Sequence, residues 1–164
     1  RVAIIYADPF RVDFVDANGN RIKGQPIRYD RIRVSEGHKE QWRDMQRTAT
    51  RMMLTNDNGR MSAQMVPGGD VQEPDEWPEY LPPFLGNAAE FAPDGRLWLR
   101  RTTAADAPPT YDIIDGNGRV VERVILPRRS RVIGFGNESV YVVRMDEDDL
   151  QYLQRFGFSH SGRM

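Results

Sequence analysis

Few side chains in this sequence have the type and spacing that catalysis or metal binding requires. The chain has 164 residues, two histidines and no cysteine. His38 and His160 each lack a second histidine or a carboxylate at the spacing of a metal site. Without cysteine the chain has no thiolate, disulfide or cysteine-ligated metal centre, and it contains no Gly-x-Ser-x-Gly motif. We therefore predict no catalytic residue, no metal ligand, no cofactor and no enzymatic activity.

Two acidic stretches have the oxygen ligands that a cation prefers. Asp16–Asn20 partly resembles a calcium loop, but Arg21 and Ile27 stand where such a loop needs Gly and Glu. We therefore interpret it as a hairpin turn. Asp146–Asp149 is either a cation-binding loop or a solvated turn between two strands, and we favour the turn. Gly134-Phe135-Gly136 is too short for a phosphate loop, and no Lys-Ser/Thr pair follows it.

The basic residues are distributed without a broad positive surface. There are 23 basic and 24 acidic residues, giving a net charge of −1, so we expect no nucleic-acid partner. The densest basic stretch is Arg128-Arg129-Ser130-Arg131. Arg128 and Arg129 are candidate contacts for a phosphate or an acidic protein, although we favour a solvated loop following Pro127.

An internal repeat indicates how the chain folds. Val12–Asn20 and Tyr111–Arg119 share one pattern: apolar, Asp, two apolar residues, Asp, any residue, Asn-Gly, polar. Asn-Gly between alternating apolar segments is the strongest local signal of a β-hairpin. Strand-like runs precede the two copies at Val2–Ala7 and Arg96–Arg101, and Ser139–Arg144 is a third run of this type. The pattern predicts three strand–turn–strand units.

The spacing of these units predicts the sheet type. Trp98 and Tyr141 stand 43 residues apart, which is close to the ~40–45 residues of a propeller blade. Ala88–Ala92 is predicted as the innermost strand of one unit and Gly118–Leu126 as its outermost strand, and Ser130–Phe135 opens the next unit. The fold class predicted is mainly β, with antiparallel meander sheets of β-propeller-blade type, as a partial propeller or a small sandwich, and one inserted helix.

The insertion lies between the first two units. Ser35 is a suitable N-cap, and apolar residues recur near the helical period, which predicts a helix from about residue 36 to 54. Asn56–Pro83 is rich in Pro and Gly and is predicted to be a long connection. We expect a single domain, 1–164, made of blade-like units at 1–34, 87–127 and 128–164 (the third incomplete), with the helix and arm at 35–86.

The insertion also carries the candidate partner-binding residues. An aromatic and flexible thioethers along one side of a helix can dock into a partner's groove, although we favour packing on the chain's own sheet. The Pro-rich arm from Pro74 is either an extension over a neighbouring protein or a covering loop. The candidates on helix and arm are Trp42, Met45, Met52, Trp77, Tyr80 and Phe84.

The repeats resemble a known family. FAPDGRLWLRR, PTYDIIDGNGRVVERVILP and SRVIGFGNESVYVVRMDEDDLQYLQRF are similar to the closing blades of bacterial six-bladed β-propeller proteins of the NHL-repeat-like kind, and VAIIYADPFRVDFVDANGNRIKGQPI to an earlier blade. The resemblance covers Val2–Ile27 and Ala88–Phe158. A closed propeller needs at least about four blades, and this chain supplies fewer. The resemblance therefore leaves three interpretations: a fragment of a longer propeller, an incompletely represented chain, or a shortened relative folded as a small sandwich or open sheet.

The resemblance implies a function that works through protein contact. We expect a non-catalytic interaction module or a structural, accessory subunit of a larger assembly, with other protein subunits as partners. Its expected contact surfaces are the inserted helix, the Pro-rich arm and the unclosed blade edges. The alternative is a ligand-binding or enzymatic propeller of which this chain is a part. The resemblance also implies an extracytoplasmic, periplasmic location. No apolar run approaches the roughly 20 residues of a membrane-spanning helix. Any contact with a membrane complex is therefore expected to be peripheral.

Overall fold

The computed structural model describes residues 1–48, 50–57, 60–67 and 73–157. It divides the chain into two compact units, one from Arg1–Ile32 together with the chain from Leu81 onward, the other Arg33–Tyr80. The elements are β1 (Val2–Ala7), β2 (Phe10–Val15), β3 (Arg21–Ile22), α1 (Glu36–Thr48), β4 (Thr50–Asp57), β5 (Arg60–Pro67), β6 (Phe84–Phe91), β7 (Leu97–Arg101), β8 (Thr110–Ile114), β9 (Val120–Ile125), β10 (Ser130–Gly136), β11 (Ser139–Met145) and β12 (Gln151–Gly157).

The first unit consists of three antiparallel meander sheets. Sheet 1 has the order β1-β2-β3, sheet 2 the order β6-β7-β8-β9 and sheet 3 the order β10-β11-β12. Each strand pairs with the next along the chain, as in the pairs Ile4–Asp13 and Trp98–Ile113. The predicted class, mainly β with antiparallel meander sheets and one helix, is confirmed over the part of the chain that the structure describes.

Sheet 2 has both faces buried. Its strands have apolar residues at adjacent as well as at alternate positions. Because successive side chains point to opposite faces of a sheet, both faces of sheet 2 carry apolar side chains that must be buried. One cluster joins Leu97, Leu99 and Ile114 of sheet 2 to Phe10, Val12 and Phe14 of sheet 1. A second cluster joins Trp98, Tyr111 and Ile113 of sheet 2 to Val140 and Val142 of sheet 3. Sheet 2 therefore lies between the other two.

The strands of sheet 2 are close to those predicted. β6 contains most of the predicted Ala88–Ala92 and begins earlier, at Phe84. β9 falls within Gly118–Leu126, and β10 begins at the predicted Ser130. Aromatic contacts join sheets 2 and 3: the rings of Trp98 and Phe135 are 5.2 Å apart.

Three turns of the first unit have the same hydrogen bonds. Each begins with an aspartate whose carboxylate accepts from the backbone N–H groups two and four residues later, at 2.8–3.0 Å. These aspartates are Asp16, Asp115 and Asp146. The third residue after each has a positive φ: 84° at Gly19, 76° at Gly118 and 62° at Asp149. The predictions that 12–20 and 111–119 form equivalent bends, and that Asp146–Asp149 is a turn, are confirmed.

The third turn lies at a different place in its sheet. In sheet 2 the turn joins the third and fourth strands, β8 and β9, whereas in sheet 3 it joins the second and third, β11 and β12. Val140 and Val142 of β11 face sheet 2, as Leu97 and Leu99 of β7 face sheet 1. Counted from the first strand of each sheet, β11 corresponds to β7, so in sheet 3 the turn follows one strand earlier than in sheet 2.

The helix of the second unit is shorter than predicted. α1 ends at Thr48, and residues 50–57 form β4, which pairs with β5 from Thr50–Pro67 to Asp57–Arg60. The prediction of a helix to residue 54 is wrong, as is that of an unstructured connection across 60–67. The backbone of β4 pairs with the next strand along the chain, and this pairing overrides the helical spacing. The Asn58-Gly59 turn signal lies outside the described residues.

Candidate functional site

The structure brings Trp42 and Trp77 together. Their rings meet edge to face, with centroids 5.3 Å apart and planes at 88°. The ion pair of Arg43 Nε with Glu73 Oε1, at 2.7 Å, holds the same segment on α1. Both indoles are half-buried. These two predicted partner-binding residues therefore contact each other within the second unit.

The other candidates on the insertion do not form one surface with that pair. Met45 is exposed on α1, and Met52 lies on β4, where it pairs with Met65, and not on the helix. The hydroxyl of Tyr80 accepts a hydrogen bond from Arg33 Nη2 at 3.2 Å. Phe84 belongs to the first unit, where its ring lies 6.0 Å from that of Phe10. The predicted arm is thus divided between two units.

Arg129 supports the third turn. Its backbone has φ 57°, and its guanidinium donates to the backbone oxygen of Asp146 and to the carboxylate of Asp149. Burial raises the pKa of Asp146, but hydrogen bonds from the Leu150 N–H and the Tyr152 side chain bring it below its usual range. Arg128 is exposed. Of the two predicted arginines, Arg129 contributes to the fold.

Asp13 is a fully buried carboxylate that the sequence alone did not single out. Its oxygens accept from Arg21 Nη2 at 2.6 Å, from Arg11 Nε at 3.1 Å and from the Gly24 N–H at 3.1 Å. The guanidinium of Arg11 also lies 3.9 Å from the ring centroid of Tyr6. Burial raises the pKa of Asp13, but the hydrogen bonds from Arg21, Gly24 and Arg11 lower it below its ordinary value.

Asp112 occupies the equivalent position in sheet 2 and is also fully buried. Arg123 Nε donates to its Oδ1 at 2.8 Å, and Arg101 Nη1 lies 3.3 Å from its Oδ2. Oδ2 receives no hydrogen bond within the described part of the chain. The signal for this pair was in the repeat, where Asp follows the first apolar residue of both copies.

The surface of sheet 3 carries exposed apolar side chains along its last strand. We name these four residues of β12 and the preceding turn the β12 surface: Leu150, Tyr152, Leu153 and Phe156 are 57%, 50%, 66% and 41% exposed. β12 pairs with β11 on one edge, and no strand among the described residues pairs with its other edge. Both its faces and one backbone edge are therefore open.

Within residues 1–48, 50–57, 60–67 and 73–157, no three histidine or carboxylate side chains come close enough to share a metal ion. None of the helical segments in those ranges has the length and apolar character needed to cross a membrane.

Comparison with protein-family models, with curated proteins and with solved structures found no match for this chain. Inference about function therefore rests on its own residues.

Proposed function

We propose that this chain is a non-catalytic protein-interaction subunit that docks on another protein through the β12 surface. The single observation that carries the proposal is the exposure of four large apolar side chains, three on β12 and one in the turn before it, beside an open strand edge. A strand of this kind is a template for pairing with another chain unless a partner covers it. Contiguous exposed apolar surface is typical of protein contact sites.

The stacking of sheets supports the same proposal. Sheets 1 and 2 each bury one face beneath the next sheet. The corresponding face of sheet 3 carries Tyr141, Val143 and Leu153 side by side, with Arg155 and Gln151 on the same face of β12. We propose that a further β-sheet, belonging to a partner subunit, packs there and pairs with the β12 edge.

The resemblance of the repeats to propeller blades supports the proposal of a propeller-like assembly. A partial propeller ends in a meander sheet that no further blade covers, so a partner has to cover the open face of that sheet. The extracytoplasmic location that the resemblance implies is part of the proposal, and separation of cell fractions tests it.

Photo-crosslinking tests the proposed surface. A photoreactive amino acid replaces Leu153 in the full chain, and in a control chain it replaces Met61, which is 72% exposed and lies in the other unit. We expect an adduct with one other protein from position 153 and none from 61. The partner, identified by mass spectrometry and purified, should bind the original chain and Met61→Arg equally, and Leu153→Arg at least about tenfold more weakly.

Two outcomes contradict the proposal. Equal labelling from both positions would indicate random encounter. Adducts formed only between copies of this chain, with a matching dimer in light scattering, would assign the β12 surface to self-association.

A further inference from the structure

We propose that a cleft between sheets 1 and 2 binds a small organic molecule with one carboxylate and an apolar body. This site lies away from the β12 surface and does not depend on the function proposed above. The cleft has a volume of about 1040 Å³, which is large enough for a drug-sized ligand. We name it the arginine cleft; its walls include Pro9, Tyr29, Arg101, Thr102, Arg123 and Ile125.

The charge of the walls selects a monoanion. Four arginines line the cleft, Arg28, Arg31, Arg101 and Arg123, against two aspartates, Asp8 and Asp30. The buried Asp112 pairs with both Arg101 and Arg123, so with its charge included the excess is one positive charge. This excess attracts an anion, since guanidinium groups bind carboxylates through paired N–H donors. The two aspartates oppose a second negative charge on the ligand. A monocarboxylate fits this balance better than phosphate does.

Asp112 holds the two inner arginines in place beneath the cleft. It is fully buried, and it binds Arg123 through Nε at 2.8 Å and lies 3.3 Å from Nη1 of Arg101. A guanidinium has five N–H donors, so each arginine retains donors for a ligand. The Arg101 side chain is 14% exposed and that of Arg123 is 50% exposed. A fixed pair of partly exposed donors is pre-organised for binding.

The comparison with Asp13 shows how Asp112 differs from its counterpart in the repeat. Asp13 stands at the same place in the repeat, and both its oxygens accept hydrogen bonds. At Asp112 one oxygen has no hydrogen-bond donor, and Thr102 Oγ1, of a residue on the cleft wall, likewise has no hydrogen bond among the described residues. Ser130 and Gln154 of sheet 3 each have one unpaired side-chain oxygen as well, but of the two equivalent aspartates only Asp112, beneath the cleft, is incompletely paired.

The remaining walls are apolar. Ile125, 63% exposed, stands on the same strand as Arg123, and Ile27, Tyr29 and Pro26 lie opposite on the segment after β3. An exposed isoleucine beside an arginine pair provides a contact for the hydrocarbon part of a ligand. The ligand class is therefore a carboxylate joined to an aromatic or aliphatic group.

The test uses 3-phenylpropionate as the probe and the full chain labelled with ¹⁵N. We expect saturable chemical-shift changes in the amides of residues 101–104 and 123–125, with a dissociation constant confirmed by calorimetry. The neutral 3-phenylpropanamide should bind at least about tenfold more weakly, because the ion pair with the arginines is lost. Inorganic phosphate should not compete at equal concentration.

Two exposed positions of β9 provide a matched pair of variants. Ile125→Glu adds a negative charge to the cleft wall and should weaken binding at least about tenfold. Val121→Glu makes the same change at a residue that is 52% exposed on the same strand and is not part of the cleft, and it should leave binding unchanged. Neither side chain is in the core, so both variants should fold, which amide dispersion checks.

Four results would overturn the proposal: no saturable shift, equal binding of the amide, equal effects of the two glutamates, or competition by phosphate. A fifth concerns the source of the carboxylate. If the tripeptide Gly-Gly-Phe binds at least about tenfold more tightly than 3-phenylpropionate, and its C-terminal amide does not, the ligand is the end of a protein chain and not a small molecule.

Discussion

The backbones of Gly24 and Gly118 are in direct contact: a Cβ atom on Gly118 would lie 2.6 Å from the Cα of Gly24. A Cβ on Gly24 would lie 2.1 Å from the carbonyl oxygen of Val12. The segment after β3 thus reaches the β8–β9 turn only because neither residue has a side chain. This contact joins sheets 1 and 2 at the end of the first unit where the Asp16 and Asp115 turns lie.

Replacement of Gly118 by alanine separates the cost of this contact from that of the turn. Gly19 and Gly118 occupy the same turn position, with φ of 84° and 76°, but nothing lies within 4 Å of a Cβ on Gly19. Gly19→Ala should cost about 1 kcal/mol, from the left-handed backbone alone. Gly118→Ala should cost about 3 kcal/mol, because overpacking adds about 2. Urea denaturation measures both, and equal values would refute the contact.

Acid should weaken the fold through Asp13. Its folded pKa lies below its ordinary value, which is about 3.9 for an unfolded chain. The charged carboxylate therefore adds stability above that pH, and this contribution disappears as the pH falls from about 4 through the folded pKa. Asp16 and Asp146 act in the same direction, since their pKa values are also lowered.

Asp13→Asn identifies the share of Asp13 in that loss. The variant should be less stable at neutral pH, because two arginines lose their carboxylate, and its stability should depend less on pH below about 4. Asp148→Asn, on an exposed turn residue, should reproduce the original curve. Denaturation midpoints measured between pH 2 and 7 test this assignment. If the midpoints of all three proteins change with pH by the same slope, the assignment is contradicted.

Glu138 is a position where glycine should stabilise the protein. It has φ 54° in the two-residue connection between β10 and β11. Glu138→Gly removes the left-handed backbone penalty of about 1 kcal/mol from the folded state. Glycine also raises the conformational entropy of the unfolded chain, which offsets part of this effect, so the net stabilisation should be about 0.5 kcal/mol. Glu122→Gly, within β9, should instead destabilise by about 0.5–1 kcal/mol. Thermal unfolding that gave both variants the same sign would contradict the interpretation.

The Trp42–Trp77 contact should be measurable as a coupling energy. The single alanine variants and the double variant form a thermodynamic cycle, and an edge-to-face pair predicts a coupling of about 1 kcal/mol. Near-ultraviolet circular dichroism should lose the same band in either single variant. Additive effects would indicate that the indoles pack independently, and would leave them free for the partner contact that the sequence suggested.

The sequence predicted the sheets because their signals are local. Asn-Gly after two apolar residues requires a positive φ at a known position, and the Asp two residues earlier accepts the turn's N–H groups, so Val12–Asn20 and Tyr111–Arg119 were recognisable as one structure. Asp146–Asp149 has the same turn without glycine. Its signal was therefore the aspartate spacing alone.

The rest of the fold depended on distant contacts. Met52 has helical spacing from Trp42 and Met45, and this spacing was followed although Asn58-Gly59, the hairpin dipeptide, stands between the residues of β4 and β5 in the sequence. Three of the arginines that bind Asp13 and Asp112 come from other strands, Arg21, Arg101 and Arg123, and that pairing has no local signal. Unclosed blade edges were expected as contact surfaces, but the residues of the β12 surface were not identified, because nothing local marks β12 as a strand exposed on both faces.

The position of sheet 2 between its neighbours has a consequence for local opening. Amides of β7 and β8 lie in strands with partners on both edges and side chains covered on both faces, whereas sheets 1 and 3 have a covering sheet on one face. Deuterium should therefore enter β7 and β8 last, at a rate set by global unfolding, while β3 and β12 exchange early through fraying that leaves the central strands intact.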